Sequence, residues 1–553
     1  GEENYIASRE TNLTAGSMTV KDGTLNLVGD GEAVKDGYIK FGSEVSLEKE
    51  GAFNISGGEF TLDNATVNAN NVDLAISGGK TEFNNTNVIN GDLNITGGEV
   101  VNKGNLTLNG KTSIAGTTLE TGSALGGETS TLVFNDAEVT AGGILAGDYM
   151  TVNGKVNVEG SKNEGNWRDG SDLVADRNMT ITENAEVTVG DKGILTVGYN
   201  AGETTATQKM DINGGKVTVN SGGIVFAASD AEGENISAVN LNGGELNLND
   251  GSTLISAETN INGGTMTLAG AVKLLKNSKV EGFDGASETT AFAAEDNGAF
   301  NINGGKVVLG ENVDITNTNV DINVNGGSLD VEKDAVVSGG LNLSGGTINN
   351  KAAMTADVYQ TAGTFNALEN SSASKITQSG GETNLAANSA ITELKMTGGS
   401  LNVNGDATVT TAQVDKGIVN LGTNKLTSDL TMGTDAILNV DVNNDAAGQI
   451  VGSLTGTETE GKTTRVNLNI ANGTDISDGI QLATDSASNV ELASNIMYKD
   501  LEINAEGKVT GEKSTSSDIA SALEEKGVSS QSANVLGAFA YGGTGTVIGD
   551  AIA

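Results

Sequence analysis

The chain has 553 residues, 72 Asp plus Glu against 31 Lys plus Arg, a net charge of −41, and no Cys, His or Pro. Without His or Cys, a Ser-His-Asp triad, a Cys-His nucleophile and His-ligated zinc are excluded, and the acidic excess argues against nucleic acid or an anionic membrane as partner. With 78 glycines and only 3% aromatics, any core must be thin and aliphatic.

From the N-terminus, Gly1 leads into Glu-Glu-Asn-Tyr and not into a signal peptide, so the numbering is expected to begin at a mature or trimmed end. No apolar run is long enough to span a membrane as a helix. Glycine doublets then set the texture. Their second glycines, Gly58, Gly79 and Gly98, are 21 and 19 residues apart. After Gly98 the pattern is interrupted by segment 160–177, which contains the only tryptophan, Trp167. There Trp167, beside Arg168, Asp169 and Asp172, could stack on a sugar ring and bond its hydroxyls; the plainer alternative folds Trp167 back over the flank.

The doublets resume at Gly215, Gly244, Gly264 and Gly305, and segment 277–299, with Phe283 and Phe292, forms a second insertion. Three residues before each second glycine stand Ile55, Ile76, Ile95, Ile212, Leu241, Ile261 and Ile302. This aliphatic column should be buried, with the Lys or Glu after each doublet exposed. Alternating pairs follow the glycines, such as Val217 with Val219 and Leu246 with Leu248, the mark of short strands with one buried face. Between 327 and 417 the unit is nearly regular: Gly327, Gly346, Gly363, Gly381, Gly399 and Gly417 are spaced by 19, 17, 18, 18 and 18.

A period near twenty is too short for a free-standing domain, so the units must stack to bury anything. It is about half a propeller blade, it lacks leucine-rich spacing, and no unit continues as the calcium-binding nonapeptide does. The expected fold is therefore all-β, a single-stranded right-handed parallel β-helix of about 25 coils between residues 20 and 510, roughly 4.8 Å per coil and about 120 Å long. Glycine at the doublet supplies φ > 0 for a tight corner. Asn213, Asn242, Asn262, Asn303 and Asn325, just before their doublets, either serve as ordinary turn residues or bond to each other from coil to coil. Proline is costly in a parallel ladder, where almost every N–H is needed.

The doublets vanish after Leu426, but alternation persists in Ile437-Leu438-Asn439-Val440-Asp441-Val442 and Arg465-Val466-Asn467-Leu468-Asn469-Ile470. Residues 426–515 are expected to continue the solenoid in larger, less regular coils that close its end, since an open edge invites pairing. Beyond that, Ser517-Asp518-Ile519-Ala520-Ser521-Ala522-Leu523-Glu524-Glu525-Lys526-Gly527 has a cap, an acidic start and a glycine stop, which predicts a helix; 531–540 predicts a second.

This order of parts resembles the passenger of an autotransporter. Gly527-Val528-Ser529-Ser530-Gln531-Ser532-Ala533-Asn534-Val535-Leu536 is similar to the linker preceding the barrel in that family. The resemblance implies a right-handed β-helix in 1–425, an autochaperone-like cap in 426–515, and a linker in 516–553 leading towards a β-barrel that is missing here. It further implies export across the outer membrane of a Gram-negative bacterium to the cell surface or medium. Membrane contact would come only through that barrel.

No catalytic, cofactor-binding or metal-ligating residue is assigned. Asp330, Glu332 and Asp334 would share one face of a strand, and a polysaccharide hydrolase needs only two suitably spaced carboxylates, but chance pairs abound in so acidic a chain. The function expected is a noncatalytic adhesin or self-association rod. Its partners would be another copy or a host or matrix glycan or protein. The alternative is a structural fibre or spacer, and a polysaccharide-acting enzyme is more distant.

Overall fold

In the computed structural model the chain divides into two compact units, Gly1–Ile322 and Asn323–Ala553. The structure describes the short strands 4–7, 12–15, 18–20, 24–27, 38–41 and 44–47, and residues 52–121, 130–159, 171–198, 208–227, 237–275, 298–315, 320–337, 339–459, 461–496 and 498–541.

In the first unit each turn of chain lays down three short strands. Lys209–Val219 bends at its doublet and supplies two faces, and Ile224–Ala227 supplies the third. Ala238–Leu248 with Thr253–Ser256 repeats the pattern, followed by Glu258–Ile261, Thr265–Leu268 and Lys273–Leu275. Every strand pairs in parallel with its equivalent one turn away. Ile212, Leu241, Ile261 and Ile302 align on the first face, Val217, Leu246, Met266 and Val307 on the second, and Val225, Leu254 and Leu274 on the third. This is a parallel β-solenoid, and the apolar residue at every second position fills its interior.

The aliphatic column expected inside is inside: Ile55, Ile76, Ile95, Ile212, Leu241, Ile261 and Ile302 are all buried. The charged residues after the doublets face out at Glu99, Lys216, Glu245 and Lys306. Glu59 and Lys80 are instead half-buried, and Lys80 is held by Glu82 at 2.8 Å.

The second unit repeats the design. Leu329, Ile348, Phe365, Thr383, Leu401, Val419, Leu438 and Val466 stand in register, as do Leu341, Val358, Ile376, Leu394, Ala412, Leu430 and Leu454. The doublets are needed where turns pack backbone on backbone. Gly346 has φ 66°, and a Cβ there would lie 2.6 Å from the carbonyl carbon of Gly326. At Gly363, where Ala362 takes the place of the first glycine, φ is 72° and the carbonyl oxygen of Gly346 would lie 2.7 Å from such a Cβ, so it is the second position that requires glycine.

Parallel pairing continues without doublets through Lys425–Val442, Lys462–Ile470 and Val490–Ser494. The chain then departs from the expected larger coils. Tyr498–Ile503, Lys508–Lys513 and Ile480–Gln481 form an antiparallel sheet. Two helices follow. The first, α1 (Ser516–Glu525), is opened by Thr515, whose hydroxyl accepts from the Asp518 N–H while the Asp518 carboxylate accepts from the Thr515 N–H. The second, α2 (Ser530–Tyr541), packs Ala533 against Ile519, Ala520 and Leu523 of α1.

Candidate binding face: an amide ladder and its groove

In each strand that follows a doublet, the second and fourth residues point inward, so the third points out. In Thr347–Asn350 these are Ile348 and Asn350 inside, with Asn349 outside and partly covered. Parallel stacking in constant register sets this outward position above its equivalent on every turn, and in the second unit that equivalent is nearly always Asn. The result is a ladder. Asn349 donates to Asp330 at 2.7 Å, Asn366 to Asn349 at 2.8 Å, Asn384 to Asn366 at 2.9 Å and Asn402 to Asn384 at 2.8 Å. Asn420 donates to Asn402 at 2.7 Å, Asn439 to Asn420 at 2.8 Å and Asn467 to Asn439 at 2.9 Å.

The donor is always the later turn, so the side-chain amide dipoles run head to tail. Such aligned bonds polarise one another. The two ends of the row need opposite partners, as the ends of a helix do. The Nδ2 end meets the Asp330 carboxylate, and at the other end the Arg465 Nε donates to the Asn467 Oδ1 at 2.7 Å. The next residue in register after Asn467 is Ala493, and there the ladder stops. Two shorter ladders also begin on an aspartate. Asn240 donates to Asp211, followed by Asn260 and Asn301; Asn469 donates to Asp441, followed by Asn495.

The corner asparagines also stack, choosing the second of the two alternatives that the sequence left open. Asn242 donates to Asn213, Asn262 to Asn242 and Asn303 to Asn262, each at 2.9 Å. Asn325 also accepts from the Ser344 hydroxyl, at 2.8 Å.

Beside the later turns of the long ladder runs a groove of about 500 Å³, lined by Asn402, Val403, Asn404, Asn420, Gly422, Asn424, Asn439 and Asp441. Its polar groups are carboxamides with a single carboxylate. The Asn424 Nδ2 is fixed on the Val403 carbonyl at 2.6 Å. On the other side of the ladder, two residues before Asn420 and Asn439, Ile418 and Ile437 lie next to each other on the outer face, Ile418 being 39% exposed.

The core beneath holds an unexpected polar cluster. Gln360 and Gln378 occupy a column otherwise filled by Leu343, Met396, Val414 and Met432. Each is fully buried, and its Nε2 donates to two backbone carbonyls. The Thr383 hydroxyl, itself buried, lies 2.9 Å from the Gln360 Oε1 and 3.1 Å from the Gln378 Oε1, and shares its one hydrogen between them.

Of the sugar-contact residues predicted around the tryptophan, Trp167, Arg168 and Asp169 lie outside the described residues. Asp172 does not sit in a loop: it belongs to the strand Ser171–Ile181, in register with Ile144 and Ile194. The insertion is therefore shorter than 160–177, because its last residues are strand. Arg177 lies over the Tyr149 ring at 5.8 Å. Phe283 and Phe292 also fall outside the described residues.

The carboxylate trio does not share a strand face. The strand Ser328–Val331 ends before Glu332, and Asp334 sits in a turn with φ 65°. Asp330 is engaged by Asn349, and Glu332 holds Lys351 at 2.7 Å. The buried carboxylate of Asp148 accepts from the Ser130 hydroxyl at 3.1 Å. Among the described residues no group of His, Cys, Asp or Glu is placed to hold a metal ion, and no helix is long and apolar enough to cross a membrane.

The sequence carries a signal for the long ladder: Asn349, Asn366, Asn384, Asn402 and Asn420 each stand three residues after the repeating glycine at 346, 363, 381, 399 and 417. No protein-family model matches this chain, and no curated protein matches it.

Proposed function

We propose that this chain is a noncatalytic passenger of the autotransporter type, exported to the surface of a Gram-negative bacterium or released from it, and that it acts by contact as an adhesin or self-association module. The reading takes the solenoid as right-handed, with about 25 turns of roughly 4.8 Å. The observation that carries it is the long amide ladder. On a chain of net charge −41, a row of neutral amides is a stripe that an uncharged partner or a second copy can approach without strong repulsion. Each interior amide uses one Nδ2 hydrogen and one oxygen lone pair along the ladder, which leaves one of each for a partner. Repetition at every turn lets weak contacts sum into avidity. That Asp330 and Glu332 already hold Asn349 and Lys351 supports binding over turnover at that place.

Sedimentation velocity of the purified chain tests this. Association should grow with concentration, and it should strengthen with salt, because screening weakens repulsion between like-charged copies. A chain that stays monomeric at all concentrations and salts, and is retained on neither glycan nor matrix-protein surfaces, is the passive spacer instead.

A further inference from the structure

We infer that the groove along Asn402, Asn420 and Asn439 is a binding site for a neutral glycan chain, a deepening of the contact function proposed above that rests on that reading. Its walls offer hydrogen-bond donors and acceptors almost without charge. Asn404 is exposed and its side chain has no partner, and the Asn424 oxygen is left open once its Nδ2 is fixed on Val403. The ladder amides add one free N–H and one free lone pair each, repeated at the spacing of the turns. Uncharged groups of both polarities in a row match a polymer of hydroxylated units, since each hydroxyl both donates and accepts.

Other ligand classes fit less well. An anionic polymer would meet Asp441 and the field of an acidic protein, with no Lys or Arg in the lining to receive it. A cation would find one carboxylate, already accepting from Asn469 at 2.9 Å, where calcium asks for six to eight oxygens. An apolar small molecule would desolvate amides that it cannot satisfy. A pocket of about 500 Å³ is large enough for a few sugar units. Ile418 and Ile437, across the ladder on the same outer face, provide an apolar strip for the C–H faces of the rings. No aromatic platform lines the groove, so affinity for a short oligosaccharide should be weak, about millimolar, and should rise with polymer length.

The test is native electrophoresis of the full chain through gels cast with dextran, mannan or hydroxyethylcellulose, with polygalacturonate as the anionic control. At least one neutral polymer should retard the chain and polygalacturonate should not. Asn404→Ala should weaken that retardation about three- to tenfold, the loss of one hydrogen bond. Asn404→Glu, which adds a second carboxylate at an exposed position, should abolish it. Absence of retardation by every neutral polymer, retardation by polygalacturonate alone, or an Asn404→Glu chain retarded like the parent would each overturn the assignment. New reducing ends, measured in parallel, separate the two claims: their appearance would refute the noncatalytic reading and leave the groove to be judged by the retardation alone.

Discussion

Removing one rung from the middle of the long ladder isolates what it contributes. Asn384 donates to Asn366 at 2.9 Å and accepts from Asn402 at 2.8 Å, so Asn384→Ala deletes two bonds and orphans both neighbours. A neutral hydrogen bond contributes about 0.5–1.5 kcal/mol. The position is only partly buried, and water can serve the neighbours in part, so the expected loss is about 1–2 kcal/mol. Asn384→Asp is the sharper perturbation. Its carboxylate still accepts from Asn402 but has no hydrogen for Asn366, and it sets a negative charge against that amide oxygen. It should therefore cost more than Ala, whereas the aspartate at position 330 fits because the end of the ladder asks only for an acceptor. The assay is urea unfolding followed by circular dichroism, together with hydrogen exchange of residues 382–403, since stacked repeats open locally as well as globally. Unchanged unfolding and exchange in both variants, or an Asp variant milder than the Ala one, would refute the reasoning.

Three further outcomes follow from the same geometry. Gly346→Ala, at φ 66° with backbone 2.6 Å from the new Cβ, should destabilise the second unit by more than about 1 kcal/mol, read as a lower urea midpoint. Thr383→Val, nearly isosteric, removes the hydrogen shared by two buried glutamine oxygens and should cost about 1–3 kcal/mol; adding Gln360→Leu and Gln378→Met, which make the column wholly apolar, should recover most of it. At Glu82, burial pushes the carboxyl up, but hydrogen bonds from Lys103 at 2.6 Å and Lys80 at 2.8 Å outweigh it and hold the group below the usual range. Its contribution to stability is then present above the unfolded carboxylate value near about 4.3 and lost as pH falls through the lower folded value. Glu82→Gln should flatten that part of the acid limb of a urea-midpoint-versus-pH curve.

What was legible in the sequence was whatever one-dimensional period translates directly into space. The doublets marked the corners, the column from Ile55 to Ile302 marked the interior, and the corner asparagines from Asn213 to Asn303 proved to stack. Both helices lie where the sequence predicts them, because Asp518 and the following apolar pattern are local signals, but the cap of the first is Thr515, upstream of the stretch expected to contain it. The long ladder is hard to see in sequence because Asn is by default a turn residue, while Asn349 to Asn467 lie within strands, where stacking of neighbours repays a side chain that an isolated strand disfavours. Gln360 and Gln378 break the apolar rule for a related reason: besides the local carbonyls of Gly363 and Gly381, their Nε2 groups reach the Glu382 and Ser400 carbonyls one turn on, and the Gln360 Oε1 meets Thr383 there, partners invisible without the register. The face assigned to Asp330, Glu332 and Asp334 failed because the strand ends at Val331, and alternation means nothing past a strand end.

The central claim is that this chain works by contact through its neutral amide face. Bacteria displaying the chain, and bacteria displaying an Asn384→Asp, Asn402→Asp, Asn420→Asp variant at equal density and equal protease resistance, should be compared for settling and for adherence to glycan- and matrix-protein-coated surfaces. The account predicts that the parent settles faster or adheres better than undecorated cells, and that the variant loses most of that gain. Equal behaviour of parent and variant, or a parent indistinguishable from undecorated cells, would contradict it.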